Sequence, residues 1–205
     1  MKNQMFMEKK WMNSNFFKLF IRMQGIKCGK KLLLKGIPFV YRKANSTISI
    51  GENCVIKSSF LSNLVGLYQR TIIVTRSEGA KICIGNNVGI SGATIYARES
   101  IVIGDNSCIG GNTKILDNDF HPIEWETRNS LMSRKDGGDM SELIPSKAIT
   151  IGKNCFIGCN SIILKGTELG DGCVVGAGSV VCGKFAPDSI IAGNPARVIR
   201  RLDER

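Results

Sequence analysis

The chain contains one histidine, His121, in the run Asp117-Asn118-Asp119-Phe120-His121-Pro122. A neutral imidazole can accept a proton from an attacking hydroxyl, which makes His121 the candidate general base. Taken alone, a loop histidine more often is a solvated surface residue. Asp119 could orient the ring or simply begin a turn, and the turn is favoured because Asp and Asn are common there.

Eight cysteines offer a second chemistry, with Cys155, Cys159, Cys173 and Cys182 in one region. A metal site would need four thiolates to converge. Cys155 and Cys173 share one phase of the repeat described below, whereas Cys159 and Cys182 fall at others, so no metal is expected and the default is small buried thiols. Gly170-Asp171-Gly172 lies inside the same repeat, rather than between a strand and a long helix, and is no dinucleotide fingerprint.

The elements that must position these residues follow a period of six. Ile151, Ile157, Ile163, Leu169, Val175 and Val181 form one register; Ile103, Ile109 and Ile115 repeat it, as do Ile84 and Ile90. Four positions after the aliphatics stand small residues: Cys155, Ser161, Thr167, Cys173 and Ser179, and earlier Val88, Thr94, Ser107 and Thr113. Neither a helical period nor strand alternation produces this pattern; a short strand followed by a corner does. Three such units bring the chain round a triangular coil with the aliphatics pointing to its axis. Coils then stack at roughly 4.8 Å, each burying its apolar row only against its neighbours, and the ends need caps. Cys155 and Cys173 become stacked neighbours, expected as free thiols because parallel side chains and a reducing compartment disfavour the bond.

With 205 residues, 43% of them hydrophobic and 22% charged, the chain suits one domain with a buried core. No apolar run approaches the roughly twenty residues of a membrane span, and no secretion signal is read at the N-terminus, so a cytoplasmic protein is expected, with the inner membrane face as a possible station. The charge of +11 is uneven: residues 1–47 carry eleven Lys or Arg against Glu8. Phe16, Phe17, Phe20, Ile21 and Met23 lie among these at helix-compatible spacing, which predicts a helix that caps the first coil or, through residues 1–25, touches an anionic membrane weakly. Capping is favoured. The expected organisation is a basic capping segment over 1–47, repeats over 48–183 interrupted by a polar loop at 118–146, and a tail over 184–205 ending in a short helix from Ala196 to Leu202. A long loop inside a regular solenoid is usually functional.

The repeat, together with Gly-Ala-Gly-Ser-Val-Val at Gly176–Val181 and Ala-Gly-Asn-Pro-Ala-Arg-Val-Ile-Arg at Ala192–Arg200, resembles the hexapeptide-repeat acyltransferases over about residues 48–201, most of all the maltose, galactoside and surface-polysaccharide O-acetyltransferases. The resemblance implies an all-β, left-handed parallel β-helix, against the usual right-handed crossover. It implies a homotrimer with sites in the clefts between coils, acetyl-CoA as acetyl donor without a metal, and a sugar or glycan hydroxyl as acceptor. His121, followed by proline as in the related enzymes, becomes the base. Cys159 and Ala177 correspond to small residues along the pantetheine path. Cys182, Gly183 and Lys184 occupy the next turn, where Cys-Gly stands in place of the family's usual Thr-Lys. Arg197 and Arg200 match the arginines that reach the nucleotide phosphates, the alternative being a solvated basic tail.

Other classes fit less well. A metalloenzyme on such a coil would need several histidines, a fused nucleotidyltransferase would need more room than the first 47 residues offer, and no nucleic-acid recognition module accompanies the basic segment. A catalytically silent scaffold, and acetylation of an amine or an antibiotic hydroxyl, stay as alternatives.

Overall fold

The computed structural model describes residues 14–132 and 143–204. Among the described residues the strands form three sheets of seven, eight and six members, in which successive neighbours are parallel and one coil apart in the chain, save the last pair of the eight-stranded sheet. This is the left-handed parallel β-helix. Each aliphatic phase becomes a column inside it: Ile50, Ile84, Ile103, Ile151 and Leu169 in the first sheet, Ile56, Ile90, Ile109, Ile157 and Val175 in the second, and Ile73, Ile95, Ile115, Ile163 and Val181 in the third. All are buried, and each contributes about 1.5–3 kcal/mol by leaving water.

Corners obey a second set of columns. Asn53, Asn87, Asn106 and Asn154 all adopt left-handed backbone, φ +55 to +59°. Their amides form a ladder: Asn53 donates to Asn87 at 3.2 Å, Asn87 to Asn106 at 2.9 Å and Asn106 to Asn154 at 3.2 Å. Asn tolerates this conformation better than most side chains, which explains its recurrence here. Facing inward beside the ladder, Cys155 donates its thiol hydrogen to the Gly170 carbonyl and Cys173 donates to that of Ala186, each at 3.2 Å. Both thiols point along the axis at backbone oxygens, and both are free. Ala93, rather than Thr94, takes the inward small position in its coil, because Ile95 follows Ile90 at a step of five instead of six.

Three boundaries differ from the sequence expectation. Coiling begins at Lys27–Cys28, well inside the segment read as a cap, since the short strands of residues 27–42 already pair with the next coil. The cap itself is helix α1, Ser14–Met23, which buries Ile21 against the first coil. At the other end, Ala196–Arg201 is a strand and not a helix; it pairs antiparallel with Ser189–Gly193. The last coil otherwise leaves a row of unpaired backbone groups, and Pro195 with Gly193 at φ +104° turns the chain back to cover it. The chain also leaves the coil twice rather than once, over Ser58–Arg70 and after Leu116. The second excursion carries helix α2, Trp125–Met132. Its neck is closed by the Asn118–Ser146 bridge, by Asp119 N–H to the Pro145 carbonyl at 3.1 Å, and by Lys147 N–H to that of Asp117 at 2.8 Å.

Candidate active site

His121 leaves the coil on a tight turn built from the residues before it. Asp117, fully buried, accepts the N–H groups of Arg98 and Glu99, each at 2.8 Å, and the Asn118 amide at 3.1 Å. Burial pushes this carboxyl above its ordinary range, while the donated hydrogen bonds pull the other way. The Asn118 side chain then accepts the Phe120 N–H at 2.9 Å, Phe120 sits at φ +64°, and His121 N–H closes the turn on the Asp119 carbonyl at 2.7 Å. Left-handed backbone is unfavourable for a bulky residue, so the turn is held by its surroundings: the Phe120 ring packs on Tyr96, centroids 4.8 Å apart, and the neck grips both sides. His121 is exposed as a result. The Asp119 carboxylate pairs with Lys165, while its main-chain carbonyl accepts the His121 N–H, so this residue builds the turn and its charge is engaged by Lys165.

Cys159 and Ala177 do stack on one corner, between the second and third sheets: Asn160 N–H donates to the Gly111 carbonyl at 2.8 Å and Gly178 N–H to that of Cys159 at 2.9 Å. Gly111, Cys159 and Ala177 therefore form a column of small residues. One coil further the register brings Gly193 to this column, while Ala192, before it, stacks on Gly176 and stands directly across the last strand pair from Arg197. Arg200 lies opposite Ile190 on the same strand; both arginines are exposed, with one guanidinium nitrogen each on nearby carbonyls. Cys182, Gly183 and Lys184 are not part of this column. They occupy the next corner, at the far end of Val180–Val181, where Lys184 pairs with Glu168 at 2.8 Å.

Sequence reasoning missed the excursion Ser58–Arg70, which leans over the Gly111 end of the column. The available signal was a break in the six-residue register between Ile56 and Ile73, filled by the apolar residues Phe60, Leu61, Leu64, Val65, Leu67 and Tyr68.

Residues 148–182 match the model of the hexapeptide repeat of succinyl-transferase. The chain is 37% identical over 130 residues to galactoside O-acetyltransferase of Escherichia coli, covering 63% of this chain and 58% of that protein. It is 34% identical over 160 residues to the putative acetyltransferase YJL218W of Saccharomyces cerevisiae, spanning 73% of this chain and 72% of the relative. The chain belongs to the hexapeptide-repeat acetyltransferases. Among solved structures, galactoside acetyltransferase in complex with coenzyme A superposes with a TM-score of 0.54 at 26% identity, covering 87% of this chain and 66% of that one. AntD, an N-acyltransferase from Bacillus cereus in complex with dTDP and 3-hydroxybutyryl-CoA, shares the fold with a TM-score of 0.64 at 22% identity, over 90% of this chain and 87% of that one. In this hexapeptide-repeat protein the matched repeat contains Cys159, Ala177 and Cys182, whereas His121, Arg197 and Arg200 lie outside it.

Proposed function

We propose that the protein transfers an acetyl group from acetyl-CoA to a hydroxyl of a sugar or glycan precursor, with His121 as general base. The observation that carries this reading is the presentation of an exposed histidine on an over-determined turn, in a coil whose column of small residues leads to Arg197. His121 takes the acceptor proton as the hydroxyl oxygen attacks the thioester carbonyl; the carbon–sulfur bond breaks, and the departing thiolate is protonated by the imidazolium. Cys159 and Ala177 leave room for the pantetheine arm, and Arg197 and Arg200 neutralise phosphate charge, with Cys182, Gly183 and Lys184 bordering the adjoining corner. Free thiol released from acetyl-CoA, followed over a panel of hexoses, glycan fragments, amines and aminoglycosides, tests the reading. Release that depends on an amine and on no hydroxyl acceptor overturns it.

The active form in this proposal is a homotrimer. Supporting it, large apolar side chains stand exposed on two outer faces, Leu33, Phe156 and Val198 on one and Phe39 and Tyr41 on the other, while the first-sheet face exposes Val102 among Lys81, Thr150, Glu168 and Lys184. A stable, active monomer in sedimentation would refute it. Among the described residues no helix is long and apolar enough to cross a membrane. Helix α1 leaves Phe16, Leu19, Phe20 and Met23 exposed beside Arg22, which supports weak association with anionic lipid; residues 1–13 of that segment lie outside the described residues. Flotation with anionic liposomes that is unchanged on deleting residues 1–25 would reject this association.

A further inference from the structure

The excursion Ser58–Arg70 is anchored along its length. Asn63 donates to the Ser91 hydroxyl at 3.1 Å, Gln69 to the Gly92 carbonyl at 2.7 Å, and the Asn112 side chain binds it twice, accepting Tyr68 N–H at 3.2 Å and donating to the Gly66 carbonyl at 2.9 Å. Asn112 is itself buried, at a left-handed corner of the coil. These bonds drive Leu67, 2% exposed, down onto the corner, while Val65 beside it stays half in solvent. A Cβ on Gly92 would lie 3.1 Å from a Leu67 methyl. One on Gly111 would lie 2.8 Å from a Val65 methyl, 3.2 Å from the same Leu67 methyl and 4.0 Å from Cys159 Cβ. Glycine at 92 and 111 is what admits the two side chains. The column of small residues is thus free at Ala177 and Cys159 and shut at Gly111 by Val65 and Leu67.

The shut end lies at a chemically meaningful level. The column runs from Gly193, next to the Ala192–Arg197 pair, towards the coil of Gly111 and Ile115, and His121 emerges from that same coil. A donor lying along it, with phosphates at the arginines, brings its acyl group to the level of Gly111.

We propose that Val65 and Leu67 form the end wall of the acyl site and restrict the donor to acetyl and similarly short acyl groups. This rests on the reading that acyl-CoA lies along Cys159 and Ala177. Each further methylene on the acyl chain would have to displace a side chain held by the anchored loop. An apolar pocket discriminates one methylene by about 10–200-fold, and exclusion by a wall belongs to that range.

The test measures kcat/KM for thiol release from acetyl-, butanoyl- and hexanoyl-CoA with one acceptor, in the full-length protein and in Val65→Ala, Leu67→Ala and Tyr68→Ala. The wild-type protein is expected to lose about 10-fold or more between acetyl and butanoyl. Val65→Ala and Leu67→Ala should each raise the butanoyl-to-acetyl ratio several-fold. Tyr68→Ala, on the same loop but turned to solvent, keeps the wild-type ratio. Val65 is half exposed, so its truncation keeps the test valid even where Leu67→Ala unfolds. Equal use of hexanoyl- and acetyl-CoA by the wild type, or an unchanged ratio in Val65→Ala, overturns the end wall while leaving acyl transfer standing. Thiol release from none of the three donors by the wild type overturns the acyl-transfer reading, and the wall with it.

Discussion

Replacing His121 by Ala separates a chemical from a structural role by the size of two effects. The side chain is exposed, and the turn that carries it is closed by main-chain and neighbouring groups: His121 N–H on the Asp119 carbonyl, the Asn118 side chain on Phe120 N–H, and the Phe120 ring on Tyr96. Alanine keeps all three. The expected change in stability is therefore within about 0.5 kcal/mol, that of an ordinary surface substitution. A positioned general base supplies about 10²–10⁴-fold, or roughly 2.7–5.4 kcal/mol of barrier at 1.36 kcal/mol per decade. Turnover at saturating acetyl-CoA, followed by thiol release, should fall by that factor, while the urea midpoint and the sedimentation coefficient stay at their wild-type values. His121→Asn, which retains polarity but accepts no proton at neutral pH, should be as slow as Ala. A near-normal rate in either variant refutes the general-base role. Unfolding or dissociation of the Ala variant shows instead that the imidazole is structural.

Arg197→Ala and Arg200→Ala should each raise KM for acetyl-CoA more than KM for the acceptor, with added salt reproducing part of the loss in the wild type; the reverse split would assign the arginines to the acceptor. In the asparagine ladder, Asn106→Ala loses both amide bonds and adds a left-handed strain of about 1 kcal/mol that Asn106→Gly avoids, so Ala should unfold at lower urea than Gly; equal midpoints would mean that φ +59° is not a constraint. Burial pushes the Cys155 thiol up to about 11 from 9.0. The folded state thus keeps a proton that the unfolded chain releases, and the thiol's contribution, complete below pH 9, is lost as pH rises through 11. Between pH 8 and pH 10 wild-type stability should therefore fall more than that of Cys155→Val, by about 1.4 kcal/mol, Val being the residue that fills this column at Val88. Equal slopes for the two proteins would show that Cys155 does not titrate with folding.

The coil was legible because its determinants are local and repeated: one aliphatic residue per strand, a small or polar residue per corner, and an axis that only stacking can dry. Each further repeat restated the same instruction, so the stacking of Cys159 on Ala177 and of Cys155 on Cys173 followed from phase alone. His121 was legible as a candidate by its uniqueness and its neighbours. Where the period stops, the sequence carried less. Ala196–Arg201 reads as a short helix from its own residues, and it became a strand because the last coil offers an unpaired edge that no local preference records. Lys27 to Arg42 look like basic flank, yet they coil because the strands of the next turn are there to pair with them. What Asp119 does with its charge was decided by Lys165, 46 residues away. The meeting of Leu67 with Gly92 and Gly111 was likewise invisible along the chain, since it depends on which corner an irregular loop falls across. Periodic burial writes one column of contacts many times, whereas an edge, an ion pair and a loop contact each occur once, between residues that only the folded chain brings together.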